Sequence, residues 1–212
     1  NSVNNGLASV SFNYIRNTPI LLPNETLLID PTYSSNNPTQ DGDVTSTTST
    51  GTLCSTTGST KNTATDYVRS SISDSDLNSD CVRGYVEWDI TSITDGYTIT
   101  DSVMKFHQLV SSSKNCDYNE MNTQPSTGTA DQVYDDIADG TTFVDNSAVC
   151  TTTGANKSID LGASGDADVT SQMVSANWFA VGIKFDNETR DSTSGHTQGF
   201  GSEENTGDAP NP

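Results

Sequence analysis

The sequence has few apolar residues, few basic residues, only two histidines and no long hydrophobic run. Leucine, isoleucine, valine and phenylalanine together number 39 of 212 residues. Lysine and arginine number 9 against 28 aspartates and glutamates, which gives a net charge of -19. This shortage of cations excludes nucleic acid as a partner, because phosphate contacts need Lys and Arg. No apolar stretch has the roughly 18 residues of a membrane-spanning helix, so we predict no membrane span.

The motifs of common catalytic sites are also missing. The chain contains no G-x-S-x-G, no H-E-x-x-H and no Gly-rich phosphate loop. His107 stands among apolar residues of a predicted strand and His196 in a polar loop, so neither indicates a catalytic or metal site. Paired carboxylates are numerous, but so acidic a composition produces them by chance. We therefore predict a protein that is not an enzyme and has no cofactor. A glycoside hydrolase would need two carboxylates about 5–10 Å apart in a cleft.

Four cysteines indicate the compartment. Cys54, Cys81, Cys116 and Cys150 have no CxxC spacing and no histidine cluster nearby, which argues against a zinc site. Two disulfides in an extracellular protein are the natural interpretation, with three possible connectivities. We expect the local pairs Cys54–Cys81 and Cys116–Cys150. Four buried free thiols are the alternative.

Glycosylation sequons agree with that compartment. Asn24, Asn156 and Asn187 each begin an N-x-S/T sequence in a turn-like context. The sequence begins with Asn1 rather than Met, so we expect a signal or leader to have been removed. Together these features predict an extracellular, cell-surface glycoprotein with disulfides.

The polar residues and the apolar periodicity favour an all-β fold. Ser and Thr number 28 and 31, and 22 of the 28 acids are Asp, residues that favour turns and short strands over helix interiors. Val10, Phe12 and Tyr14 alternate with polar residues, the clearest strand pattern in the chain. We predict an antiparallel β-sandwich of jelly-roll type with one or two short helical turns. Strands are expected near 7–15, 26–29, 66–71, 82–90, 103–110, 116–121, 157–161, 178–185 and 199–203, helical turns at 129–139 and from Asp168, and a long loop over 34–65.

Acidic residues in the expected loops suggest a cation site. Asp41 and Asp43 flank a glycine, and Asp74 and Asp76 are two residues apart. Carboxylates on a loop are the ligands that Ca²⁺ prefers. Calcium at these four aspartates is the hypothesis, and a solvated acidic loop is the alternative.

Five short motifs in order resemble the DNRLRE-type domains, which are allied to carbohydrate-binding module family 96. They are residues 30–38 (DPTYSSNNP), 82–93 (VRGYVEWDITSI), 99–106 (ITDSVMKF), 168–170 (DVT) and 200–204 (FGSEE). The resemblance covers roughly residues 26–210. It implies a jelly-roll β-sandwich found on secreted and cell-surface proteins, some of which bind polysaccharide.

Two departures from that family point to a structural role. Its members finish with a strand of the type K-L-x-V-x-Y, which this sequence lacks, while about 20 additional residues precede the first family strand. We divide the chain into an N-terminal extension, 1–19, and a sandwich domain, 20–212. Ala8, Val10, Phe12 and Tyr14 then form a candidate donor strand that fills the vacant position.

The donor strand can fold back into its own subunit, as in a circular permutant, or enter the next copy by donor-strand exchange. The second possibility builds a homopolymer, and we predict a structural subunit of an extracellular filament, pilus or other surface appendage. A sequence that is merely truncated before the final strand is a further alternative.

A carbohydrate-binding or cell-adhesion module is the rival function. Trp88 and Trp178 lie in predicted strands and are expected in the core. Tyr33, Tyr67, Tyr97 and Tyr118 lie nearer loops and could stack on a sugar ring. The partner would be a surface glycan, and the negative charge argues against an anionic polysaccharide.

Overall fold

The computed structural model describes residues 9–16, 32–35, 38–46, 54–63, 67–72, 80–93, 97–154, 156–189 and 195–201. These residues form twelve β-strands, two α-helices and one short 3₁₀ helix. The strands are β1 (Ser9–Arg16), β2 (Thr32–Ser35), β3 (Gln40–Ser46), β4 (Thr60–Asn62), β5 (Tyr67–Ile72), β6 (Cys81–Asp89), β7 (Tyr97–Val110), β8 (Cys116–Glu120), β9 (Thr142–Ser147), β10 (Asn156–Asp160), β11 (Trp178–Phe185) and β12 (His196–Gly201). The helices are α1 (Ala130–Asp139) and α2 (Gly162–Ser175), and the 3₁₀ helix is Ala148–Thr151.

The strands form one antiparallel sheet that curls into two facing layers. The first layer has the order β2-β1-β7-β10. The second layer contains β4, β3, β6, β11, β8 and β9 in that order, and β5 and β12 connect β6 to the far end of β7. The 14-residue β7 therefore belongs to both layers. This arrangement confirms the predicted all-β sandwich.

A continuous apolar core fills the space between the layers. Along β11, Phe179, Val181, Ile183 and Phe185 are all buried and belong to this core, as the period of two along a strand requires. Trp88 on the adjacent β6 stacks on Phe179 with 6.0 Å between ring centroids. The predicted place of Trp88 in the core is confirmed.

Helix α1 covers the outer face of the second layer. Thr129 caps its N-terminus, and its side chain and that of Gln132 form the reciprocal capping box. Val133 and Ile137 pack with Tyr85 and Met121 into a second, smaller apolar cluster. The sequence places this helix correctly to within one residue.

Helix α2 is longer than the single turn expected from Asp168. It runs for 14 residues and buries Gly165, Val169 and Met173. A Cβ on Gly165 would lie 2.9 Å from the Ser102 Oγ atom, so glycine permits the close approach of helix and strand β7. With so few buried residues, the sequence of α2 has only a weak helical periodicity of apolar residues, and its full length was not predicted. Within the described residues, no helix combines the length and apolar content needed to cross a bilayer.

Candidate functional site

Strand β1, the predicted donor strand, is bonded on both edges within its own chain. It runs antiparallel to β2 on one side and to β7 on the other. Val10 faces Ser35 of β2 and Met104 of β7 across the two ladders. The register with β7 shifts between Asn13 and Tyr14, and such an irregularity increases the local strand twist.

The described side chains of β1 hold it in the sandwich. Val10 and Phe12 are buried, and the Phe12 ring meets the Phe179 ring edge-on with 5.7 Å between centroids. The Ser11 hydroxyl donates to the Val103 carbonyl oxygen at 3.4 Å. Apolar packing and sheet bonding therefore both favour the docked strand.

Of the four candidate donor residues, Val10 and Phe12 are buried in the chain's own core. Ala8 and the side chain of Tyr14 lie outside the described residues. The sequence left open whether the strand completes its own subunit or the next, and in the single chain it lies in its own sheet. Entry of the same strand into another copy stays a prediction.

The two predicted disulfides are present and paired as expected. Cys54 joins Cys81 at the start of β6, with an S–S distance of 2.01 Å. Cys116 at the start of β8 joins Cys150 in the 3₁₀ helix, with an S–S distance of 2.09 Å. Both bonds attach a connecting segment to a central strand. Disulfides of this kind are typical of proteins outside the cytoplasm.

Two of the three sequons are accessible. Asn156 and Asn187 are exposed, and Asn24 lies outside the described residues. The Asn156 Oδ1 atom is 3.0 Å from Nδ1 of His107, which is buried in β7. His107 is therefore a packed histidine, as its apolar neighbours in the sequence indicated.

The predicted loop at Asp41 and Asp43 is wrong, because both residues are buried in strand β3. The Asp43 carboxylate accepts hydrogen bonds from Arg69 Nε at 3.1 Å and from Asn62 Nδ2 at 2.8 Å. These contacts occupy both oxygen atoms of Asp43 and argue against a cation at that residue. Asp74 and Asp76 lie outside the described residues.

A different set of carboxylates converges beside the edge of the second layer. Oxygen atoms of Asp117, Asp145 and Asp186 lie within 4.8 Å of one another. Lys184 enters the same cluster, with its Nζ atom 2.5 Å from Asp117 Oδ2. Asp117 and Lys184 are direct partners on β8 and β11. Sequence spacing gave no indication of this cluster, because its members come together only through the sheet register.

A shallow pocket of about 200 Å³ lies at the opposite end of β11. Trp178, Asn177, Gln124, Glu87 and Asp89 contribute to its wall. Trp178 is half-buried, and Asn177 and Asp89 are exposed. Hydrogen bonding by the Thr91 backbone N–H and side chain lowers the pKa of Asp89 and keeps its carboxylate ionised.

The Glu87 carboxylate at the base of this pocket is fully engaged. It accepts hydrogen bonds from Gln124 Nε2 at 2.8 Å, from Ser126 N at 2.7 Å and from Ser126 Oγ at 2.9 Å. These bonds hold the turn before α1 against β6. Glu87 therefore acts as a structural carboxylate, while Trp178 is half-buried and Asn177 is exposed in the pocket wall.

The predicted sugar-stacking role of Tyr118 is wrong. Tyr118 is fully buried against Phe106, and burial raises the pKa of its phenol. It occupies the alternate position to Asp117 on β8, so it faces the core. Tyr97 is half-buried, and the side chains of Tyr33 and Tyr67 lie outside the described residues.

A second group of carboxylates surrounds the middle of α2. Burial is the main cause that raises the pKa of Asp168 to about 7, and the negative charges of Glu120 and Asp136 raise it further. A hydrogen bond from the Gln172 side chain acts in the opposite direction. Glu120 lies at the end of β8 and Asp136 lies on α1, so charges on two other elements act on this residue of α2.

No known protein family matches this sequence, and no curated protein is detectably similar to it.

Proposed function

We propose that the protein is a structural subunit of an extracellular filament or surface appendage, assembled by exchange of strand β1 between copies. It has no catalytic role in this proposal. The observation that carries it is the position of β1, which is bonded along both edges and buries Val10 and Phe12. Such a strand offers the rest of the sandwich two edges for backbone hydrogen bonds and apolar side chains for the core, which are the contacts that a donated strand makes.

Exchange conserves the contacts that β1 makes. Burying Val10 and Phe12 stabilises a subunit by roughly 1.5–3 kcal/mol per side chain, whether the strand belongs to that subunit or to a neighbour. The balance between closed monomer and polymer then depends on subunit concentration and on the connecting segment. Domain swapping is a low-cost route to assembly for this reason.

The chain provides the length that an exchange needs. Residues 17–31 connect β1 to β2, and 15 residues reach at most about 50 Å when extended. This is enough for β1 to reach an adjoining subunit while β2 stays in its own. Head-to-tail exchange does not close on itself unless the rotation happens to form a ring, so it propagates into a filament.

Engineered cysteines test the exchange directly. Ser11 and Val103 are directly opposite across β1 and β7, and both are half-buried. In the Ser11→Cys, Val103→Cys double variant, exchange predicts a ladder of disulfide-linked oligomers on denaturing, non-reducing gels. The ladder should lengthen when the protein is concentrated before oxidation.

The matched control moves one cysteine out of register. Thr98 pairs with Ile15, so Ser11→Cys with Thr98→Cys should give no ladder. If the in-register variant gives only intrachain cross-links at every concentration, the subunit is self-complemented and the proposal fails.

The Trp178 pocket favours a carbohydrate-binding module as the second candidate. A half-exposed indole beside amide and carboxylate groups can stack on one face of a sugar and bond its hydroxyls. Affinity electrophoresis against neutral polysaccharides should show retardation that Trp178→Ala removes. Val174→Ala, at an exposed apolar side chain on α2, is the control that should leave retardation unchanged.

A further inference from the structure

The charged cluster beside the edge of the second layer contains the parts of an amide-forming site. Lys184 Nζ lies 2.5 Å from Asp117 Oδ2, and both side chains are largely buried, with relative exposures of 15% and 6%. A carboxylate C–O bond is about 1.23 Å long. The amine nitrogen is therefore within roughly 3.7 Å of the carboxyl carbon, close to the 3–3.5 Å of a near-attack geometry.

The second carboxylate oxygen of Asp117 is held by a backbone donor. The Asn146 N–H donates to Asp117 Oδ1 at 3.0 Å. Asn146 adopts a left-handed backbone with φ of 54°, and Asn115 Nδ2 donates to its carbonyl oxygen at 3.1 Å and to its side-chain oxygen at 2.7 Å. A fixed N–H at this position stabilises negative charge that develops on Oδ1.

Two more carboxylates belong to the same cluster. Oxygen atoms of Asp145 and Asp186 lie within 4.8 Å of those of Asp117. In the reaction proposed below, one of these carboxylates serves as the acid–base group, reaching the Lys184 ammonium group directly or through one water molecule, as general acid–base catalysis requires.

We propose that Lys184 and Asp117 condense into an intramolecular amide that covalently joins β11 to β8. Lys184 loses a proton to Asp145 or Asp186, and its nitrogen attacks Cγ of Asp117. The Cγ–Oδ2 bond then breaks, and Oδ2 leaves as water with two protons that came from Nζ. One ammonium and one carboxylate give one amide and one water, so the step needs no other reactant.

Such a bond has a physical role in an extracellular structural protein. The backbone bonds between β8 and β11 are individually weak, whereas an amide between neighbouring strands persists through local opening. Cys116, next to Asp117, is already bonded to Cys150. The amide would give β8 a second covalent attachment, to its neighbour β11 in the sheet. The inference does not depend on strand exchange.

The test is the intact mass of the reduced, denatured protein, produced without glycans. The wild type should be lighter than its sequence mass by one water molecule, and fragmentation should yield a branched peptide joined at Lys184 and Asp117. Asp117→Asn should instead lose one ammonia, because the side-chain amide then supplies the leaving group. Asp145→Asn with Asp186→Asn should slow formation of the lighter species.

Lys184→Arg is the matched control, because arginine keeps the positive charge but does not form this amide. Its mass should equal its sequence mass, and its circular dichroism should match the wild type. Succinimide at an Asp-Gly step also removes water, but mild alkaline hydrolysis reverses it and leaves the amide intact. A folded wild type with its full sequence mass, or with water loss that alkaline treatment reverses, would overturn the proposal.

Discussion

Replacing Asp168 with asparagine tests whether the raised pKa of this carboxyl on α2 makes the stability of the protein depend on pH. Burial, together with the charges of Glu120 and Asp136, raises the pKa of Asp168 from an ordinary value of 3.8 to about 7. The native protein therefore keeps a proton between pH 4 and 7 that the unfolded chain has lost. The contribution of Asp168 to the free energy of unfolding is greatest below pH 4 and decreases as pH rises to 7.

The size of this effect follows from the two pKa values. At 1.36 kcal/mol per pH unit, the difference corresponds to roughly 4 kcal/mol. Asp168 is only half-buried, so solvent screening reduces this to about 2 kcal/mol. Asp168→Asn carries a neutral side chain at every pH. The free energy of unfolding of the variant minus that of the wild type should therefore be about 2 kcal/mol larger at pH 8 than at pH 4.

Urea denaturation of both proteins at pH 4 and pH 8 measures this difference, and other titrating groups cancel because both proteins carry them. Asp89→Asn is the control of opposite sign. Hydrogen bonding by Thr91 lowers the pKa of Asp89, so this variant should be less stable than the wild type at both pH 8 and pH 4 and should recover only as pH falls below the ordinary value of 3.8. A stability difference for Asp168→Asn that is the same at both pH values would refute the reasoning.

Three further substitutions are checked by the same denaturation assay. Phe12→Ala should lower the free energy of unfolding by about 3–5 kcal/mol because the ring is fully buried, whereas Ser11→Ala should change it by no more than about 0.5 kcal/mol. Losses of similar size in the two variants would contradict the packing of β1. Gly42→Ala should cost more than about 3 kcal/mol, because its Cβ would lie 2.0 Å from a backbone oxygen of β4; near-neutrality would contradict the register of β3 and β4. Arg83→Ala should lower the free energy of unfolding by about 3–5 kcal/mol, because it leaves the Glu188 carboxylate without its bidentate partner. Arg83→Lys should recover only part of this loss, since lysine lacks the two parallel N–H donors of the guanidinium. Full recovery would show that the bidentate geometry is unimportant.

The sequence predicted the elements whose apolar residues have a clear period. Strand β11 was predicted with the bounds that it has, and β8 and α1 to within one residue. Each combines alternating or helical apolar spacing with a boundary signal, such as Thr129 before α1. The alternation at Val10 and Phe12 likewise predicted a buried strand, and both residues are buried.

Strand β3 was missed because most of its buried residues are polar, and the three-residue β4 was missed because none of its residues is fully buried. In β3, Asp43 is buried through hydrogen bonds to Arg69 and Asn62, which are 26 and 19 positions away in the chain. A hydrophobicity pattern cannot detect a strand whose burial is stabilised by distant polar partners.

The Lys184 cluster was missed for a related reason. Lys184 and Asp117 are 67 residues apart and meet only because β8 and β11 pair in one particular register. The disulfide pairs were easier to predict from the sequence, because four cysteines allow only three pairings. Local spacing thus identified the cysteine pairs but not the charged pair, whose partners have many possible alternatives in so acidic a chain.

Strand β7 also determines how the fold would respond to a pulling force. It is bonded to β1 and β10 in one layer and to β12 in the other. A load applied along the axis of β1 would reach β7 in shear, so that the backbone bonds of the ladder resist together rather than opening one after another. Because β7 continues into the opposite layer, the stress would spread through both halves of the sandwich before any single strand came loose.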